Sequence, residues 1–363
     1  MGGPPGLPSA VCLREETILF TFILRRLFFL PVVFIGVTLG IVLLMQLLSP
    51  TQRAASYVTS PAQLRNVQAI IDRYHLEDPW YVQYWVWLKA AARGNFGYSR
   101  VAKMPVLKAI GERFPSTAEL ALAALIPVVG VGIWLGTAAA LNRDKVVDQF
   151  TRVLSIVGWS LPTFVLGIWL LVIFYGGLQW FKPGDITGNH AIELANAIAD
   201  GTYHRYTHFM AIDALLNGRF DIFIDNLWHL VLPVITLAAV SSAQIMRVMR
   251  SSLLDALGQD YVRTARSKGL AESVVNRKHA RRNALIPVLT LSGFTIISLL
   301  NGVVITETIF NYPGMGRFLA NAATQLDYSS VLGTAVFTAV VVVFANLVVD
   351  VMYGIVDPRI RFD

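Results

Sequence analysis

The chain has 363 residues, 55% hydrophobic and only 15% charged, with a mean hydropathy of +0.57 and a net charge of +7. Soluble domains usually carry about 25% charge, so this balance excludes an ordinary water-soluble domain. A single cysteine, Cys12, excludes an internal disulfide framework. The basic charge is concentrated in alternate short loops between apolar runs, which marks membrane topology and not a nucleic-acid footprint.

Residues 1–21 are rich in Gly and Pro, have little to bury and read as a disordered cytoplasmic extension. A first transmembrane helix is expected over 22–48. A helix crossing the roughly 30 Å hydrocarbon layer needs about 20 apolar residues, because its backbone polar groups must be paired internally. Six runs meet that length: Leu27–Leu48, Thr117–Leu141, Val153–Tyr175, Leu227–Val248, Ala284–Thr306 and Val331–Val356. The alternating ten-residue strands of a membrane barrel are absent from the sequence. The fold class expected is therefore all-α with six transmembrane helices.

Between the first two runs, 49–116 reads as an external interfacial region. Its segment YHLEDPWYVQYWVWLKAAARGNFGYS has the aromatic and Lys density of a helix lying at the membrane surface. Gly94, Gly97 and Pro105 then mark turns, and Ser116 or Thr117 is placed to cap the second span. A core of five further transmembrane helices is expected over 117–363. Its loop 176–225 reads as external, with one or two short helices.

Orientation follows the basic residues. Three fall in 142–152 and nine between Arg247 and Arg282, whereas 307–330 holds only Arg317. Both termini are therefore expected on the cytoplasmic side. The cytoplasmic segment 250–283 contains most of RTARSKGLAESVVNRKHARRNALIP, which runs from 263 to 287. There Leu253–Lys268 reads as a helix, Gly269 as its left-handed C-terminal residue, and Glu272 as the start of a second helix running into Pro287. Two helices joined by a sharp turn and continued into a span make a lever.

Few side chains suggest chemistry. The chain contains no GxxxxGK[ST], so it has no P-loop for a nucleotide, and it contains neither HExxH nor GxSxG. His204 and His208 have the spacing of two metal ligands on one helical face, but no neighbouring ligand completes a shell, so no metal is assigned. Glu119, Glu307 and Asp350 lie near or within spans, where pairing across helices or a position near the boundary is expected in preference to an ion relay. His229 is expected to anchor at the interface. Ser292, Gly293, Asn301 and Gly302 form the most polar stripe of the fifth span; they line a pathway or permit close helix packing.

DYVRTARSKGL followed by HARRNALIP resembles the cytoplasmic Glu-Ala-Ala loop of ATP-binding-cassette importer permeases, in the form found in the dipeptide/oligopeptide/nickel permease family. The resemblance continues through LEDPWYVQYWVWL, GNFGYS, LWHLVLPVITL, ITETIFNYPGMGRFL and NLVVDVMYGIVDPRIR. Arg263, Thr264 and Ala265 stand at the Glu-Ala-Ala positions. The resemblance implies a type I ABC importer permease fold in the cytoplasmic (inner) membrane, working by alternating access and without catalytic residues. It also implies a second permease subunit, two ATPase subunits carrying the ATP and Mg, and an external substrate-binding protein. By the family pattern the ATPase-docking residues are Asp260, Tyr261, Val262, Arg263, Thr264, Ala265, Lys268, Gly269, Leu270 and Asn283. Peptides are the expected cargo; nickel chelates and oligosaccharides are the alternatives. An intramembrane enzyme or an ion-coupled carrier would need catalytic pairs or paired broken helices that the sequence lacks.

Overall fold

The structure is a computed structural model that describes residues 31–54 (apart from 33 and 41), 57 and 66–356, with side chains 301, 302 and 350–356 excepted. The expected N-terminal extension with Cys12, the start of the first span, and the C-terminal residues after 356 lie outside the described residues.

The molecule is mostly helical. An apolar helix α1 (Phe34–Met45) is followed by short helices α2 (Pro50–Ala54) and α3 (Val67–Arg73), and by α4 (Trp80–Ala92). Helix α4 forms where the sequence leads one to expect an interfacial helix: Trp80, Tyr81 and Trp85 are exposed, while Trp87 and Ala91 pack with Val42, Leu332 and Val336. The Tyr84 hydroxyl lies 2.9 Å from Thr38 Oγ1 and joins α4 to α1. Gly94 and Gly97 adopt positive φ, as the turn signals require. A two-residue hairpin, β1 (Tyr98–Ser99) and β2 (Met104–Pro105), pairs antiparallel with Tyr98 opposite Pro105.

Helix α5 (Val106–Leu141) corrects one expectation. It begins eleven residues before Thr117, so neither Ser116 nor Thr117 is a cap. Pro115 lies inside it, and the Thr117 hydroxyl is used elsewhere. Prolines are tolerated in membrane helices because neighbouring groups satisfy the freed carbonyls. The expected third span is also corrected. It breaks into α6 (Val146–Ser160) and α7 (Thr163–Leu170), bent by 100° at Leu161 and Pro162, with α7 extended by a π-helical stretch Leu171–Gly177. The residue before a proline is pushed out of the helical region, and Leu161 is extended, with ψ 122°.

Two short helices follow, α8 (Gly188–Ala199) and α9 (Met210–Leu216), as expected for the 176–225 loop. Helix α10 (Phe220–Leu257) is longer than the apolar run predicted and ends at Gly258. The expected continuous helix Leu253–Lys268 is therefore two helices, the second being α11 (Asp260–Ser267). After Gly269 come α12 (Glu272–Val274), a π-helical turn Val275–Ala280, and α13 (Arg281–Gly302). The chain closes with α14 (Val304–Ile309), α15 (Met315–Thr324) and α16 (Tyr328–Val356). Among the described residues, four helices are long and apolar enough to cross a membrane, or five if the bent α6–α7 pair is one span.

Helices α5 and α10 run side by side in the same direction and form the spine. Their contact depends on glycine: a Cβ at Gly136 would stand 2.6 Å from the Met246 carbonyl oxygen, and one at Gly132 2.7 Å from Ile245. The small residues bring the two backbones together, which gives dispersion contacts where lipid supplies no hydrophobic drive. Two apolar clusters share the spine. One, at the end near α11, joins Val128, Ile245, Met249 and Leu253 to Val262, Ala265, Val275 and Ala284. The other, at the opposite end, joins Leu120 and Ala124 to Leu230, Leu299, Val303 and Tyr312.

Candidate functional site

Gly269 turns the chain between α11 and α12 at φ +74°. The Gly269 N–H donates to the Arg266 carbonyl at 2.9 Å and the Leu270 N–H to the Ala265 carbonyl at 3.4 Å, which is the Schellman pattern for a helix ending on a left-handed residue. A Cβ at Gly269 would meet nothing within 4 Å, so the demand for glycine here is conformational and not spatial. Across the turn Arg266 Nε donates to Glu272 Oε1 at 2.8 Å. Ala271 offers no side-chain cap to α12, and Glu272 sits at the positive end of the new helix.

The ten residues expected to dock a partner divide into two sets. Asp260, Tyr261, Arg263, Thr264, Lys268, Gly269, Leu270 and Asn283 are exposed. Val262 and Ala265 are buried at 0% and 5% exposure and face inward, so they hold α11 to the body instead of meeting a partner. They pack in the same cluster as Val275, Ala280 and Ala284 at the root of α13, and as residues of α5 and α10. Helix α11 thus packs against the spine as well as against the root of α13, a wider connection than the fifth span alone. Beside it, Asp148 is fully buried and ties α6 to α10, accepting from Arg250 Nε at 2.6 Å and from Arg152 Nη2 at 2.8 Å.

The opposite end is held by buried carboxylates. Glu307, with 0% exposure, accepts from Thr117 Oγ1 at 2.6 Å and from the Arg317 N–H at 2.9 Å. Thr117 Oγ1 in turn accepts from the Met315 N–H at 2.8 Å. Glu119 accepts from the Ala211 N–H at 2.8 Å and from the Tyr312 hydroxyl at 3.2 Å. Burial, and then the Glu119 charge, pushes the Tyr312 hydroxyl well above its ordinary pKa, so it remains a donor. These bonds fasten α9, α14 and the start of α15 onto α5. Both glutamates are paired between elements, as expected; the Asp350 side chain lies outside the described residues.

Other sequence candidates are placed as follows. Ser292 is 8% exposed and its hydroxyl donates to the Val288 carbonyl at 2.8 Å, and Gly293 is buried beside it. Asn301 and Gly302 end α13, but their side chains lie outside the described ones. His229 is corrected: it is buried, with Nδ1 2.8 Å from the Asp225 carbonyl oxygen, not at an interface. His204 and His208 lie in a loop and not on a helix, so their spacing does not make a ligand pair. Among the described residues, His190, Glu193 and Asp221 have ligand atoms within 4.8 Å of one another. Arg219 already pairs with Glu193 at 3.0 Å and with Asp221 at 2.6 Å, supplying the positive charge that a cation would bring.

Residues 132–362 match the family described as binding-protein-dependent transport system inner membrane component. The chain belongs to this family. It is 37% identical over 345 residues to the di/tripeptide transport system permease protein of Pseudomonas aeruginosa, covering 94% of this chain and 99% of that one. The dipeptide transport system permease protein of Escherichia coli is 36% identical over 346 residues, covering 94% and 98% of the two chains. The oligopeptide transport system permease protein of Bacillus subtilis is 37% identical over 296 residues, covering 81% and 85%. The turn at Gly269, the exposed face of α11 and the buried carboxylate knot all lie within the matched segments, apart from the α5 residues before 132 that only the relatives cover. As an inner-membrane component with several apolar helices, the chain is a multi-pass membrane protein.

Proposed function

We propose that this chain is the permease subunit of an ATP-driven importer of di- and oligopeptides. The observation that carries the reading is the α11–Gly269–α12 turn, whose inner face is cemented to α5, α10 and α13 while its outer face carries exposed polar and basic residues. Such an element passes a push from a docked protein into the membrane helices. The peptide cargo is supported by the three relatives, each a peptide transport permease.

In this reading the chain crosses the membrane six times with both termini in the cytoplasm. Helix α1 forms the first span and the bent α6–α7 pair the third. Segment 250–283 is the coupling loop, and two ATPase subunits, which bind the ATP and Mg, dock on Asp260, Tyr261, Arg263, Thr264, Lys268, Leu270 and Asn283. A second, paralogous permease completes the pathway, with Ser292, Gly293, Asn301 and Gly302 as its candidate lining from this chain. Segments 49–116 and 176–225 face outward, where a substrate-binding protein delivers its load. ATPase closure pulls α11 inward, rotates the spine and opens the pathway outward; the chain itself performs no catalysis.

The test is purification of the chain in mild detergent from its own cells, followed by reconstitution. Two P-loop ATPases and a second permease are expected to stay bound, and the proteoliposomes are expected to accumulate a dipeptide when ATP and the binding protein are supplied. A chain that purifies alone and transports alone contradicts the reading.

A further inference from the structure

At the end away from α11, a cavity of about 420 Å³ opens between the start of α5, the α8–α9 connection and the loop leading into α15. Small-molecule sites usually measure about 300–1,000 Å³. Both signs of charge line it, with Glu112, Asp185 and Asp213 on one side of the count and Arg113, Arg205 and Arg317 on the other.

Some of these groups are already engaged. Asp213 accepts from the Thr207 and His208 N–H groups, and Arg317 Nη1 donates to the Asn311 carbonyl. Others are not. The Asp185 carboxylate accepts only from backbone N–H groups, its own and that of Ile186 at 3.1 Å, and has no ion-pair partner among the described residues. Burial raises its pKa, and the nearby Arg205 and His229 only partly offset this. Among the described residues, the exposed Arg205 has no carboxylate within ion-pair distance, and Arg113 lies over the Phe318 ring at 4.7 Å with no carboxylate partner. Tyr203, 3% exposed, lines the cavity, and its hydroxyl makes no hydrogen bond. An unpaired buried donor is destabilising, a cost that a ligand removes by accepting from it.

Unpaired charges of both signs in one cavity disfavour a simple anion or cation and match a molecule with an ammonium at one end and a carboxylate at the other. We propose that this cavity is a binding site for a short zwitterionic peptide, with the α-ammonium on Asp185, the terminal carboxylate on Arg205 and Arg113, and a peptide group on the Tyr203 hydroxyl. Two extended residues span about 7 Å, and the cavity volume of about 420 Å³ lies within the range of small-molecule sites. The choice of a peptide as the zwitterion rests on the importer reading above; the charge pattern does not. The permease then holds its substrate at the external face in its own right, apart from the binding protein.

The experiment uses the assembled transporter in nanodiscs without binding protein and measures equilibrium binding of tritiated L-Ala-L-Phe. Uptake into proteoliposomes with binding protein is measured in parallel. Saturable binding is expected, at least about tenfold weaker for N-acetyl-Ala-Phe and for Ala-Phe amide, since each analogue loses one charge-assisted contact. Asp185→Asn should remove the penalty for acetylation and Arg205→Gln much of the penalty for amidation. Tyr203→Phe should weaken binding several-fold without lowering the melting temperature, because the hydroxyl bonds to nothing within the protein. Absence of saturable binding in a complex that still imports the dipeptide overturns the site and leaves the importer reading standing. Variants that weaken attachment of the binding protein while dipeptide binding is unchanged also overturn it, making the cavity a docking socket. Failure of the wild-type complex to import any peptide, with ATPase activity intact, overturns the peptide reading and the site with it.

Discussion

The two ends of the molecule hold their outer elements in different ways, although a buried carboxylate, Asp148, also ties α6 to α10 near α11. At the end away from α11, buried carboxylates fasten distant parts of the chain to α5: Glu307 holds Thr117 across 190 positions, and Glu119 holds Ala211 across 92. At the other end α11 is held by two small apolar side chains, Val262 and Ala265, and by one exposed ion pair, Arg266–Glu272. Satisfied buried polar networks are rigid because partial loosening leaves charges and donors unpaired. Apolar contacts slide without that penalty. The contrast gives one end the character of a fixed frame and the other that of a movable part, as the proposed importer function requires.

Substitutions sharpen or break this contrast. Glu307→Ala should have the largest effect: it strands the Thr117 hydroxyl and the Arg317 N–H, and two buried donors at about 1–3 kcal/mol each give about 2–6 kcal/mol. Thermal melting in detergent checks this, and an unchanged midpoint would remove the rigid frame from the account. Asp148→Ala comes next. Losing one partner of a buried pair costs about 3–5 kcal/mol, reduced here to about 2–3 kcal/mol because Arg152 and Arg250 reach solvent. The expected signature is loosening of α6 from α10, measured as faster hydrogen exchange across 146–160, with α9 unaffected.

Gly136→Ala drives a methyl group against the Met246 carbonyl, an overpacking expected to cost about 1–3 kcal/mol. A melting midpoint equal to wild type would show that α5 and α10 part easily. The smallest effect belongs to Arg266→Gln, which removes a pair with side chains 43% and 62% exposed. Such pairs contribute at most about 1 kcal/mol, so both melting and uptake should change little. A large loss of uptake with unchanged stability would instead make Arg266 part of the ATPase contact.

Much of this organisation is legible in the sequence, and the gaps have physical reasons. Four of the apolar runs locate the membrane-length helices among the described residues, because hydrocarbon thickness imposes a length. Gly269 is legible because a helix ending in a basic turn followed by Gly and Leu specifies a left-handed C-terminus by local chemistry alone. The first eleven residues of α5 were not: Lys108, Glu112, Arg113 and Pro115 read as a loop, yet they extend the helix beyond the apolar segment. Nor was the 100° bend before Thr163, since one proline inside an apolar run is compatible with either a straight or a broken span. Thr117 reads locally as a cap and is in fact the centre of a knot made with residues 307 and 315. Contacts between positions so far apart leave no local signal.

In the proposed importer the turn at Gly269 transmits force, and two substitutions there test this most directly. Because no atom crowds the position, Asn, which tolerates the left-handed region, should preserve the turn. Valine, branched at Cβ, should not. Dipeptide uptake by the assembled complex is predicted to stay close to wild type for Gly269→Asn and to fall at least about tenfold for Gly269→Val, a left-handed β-branched residue costing more than about 1–2 kcal/mol. Membrane insertion should be equal for both. Normal uptake by Gly269→Val, or equal loss in both variants, would contradict the account.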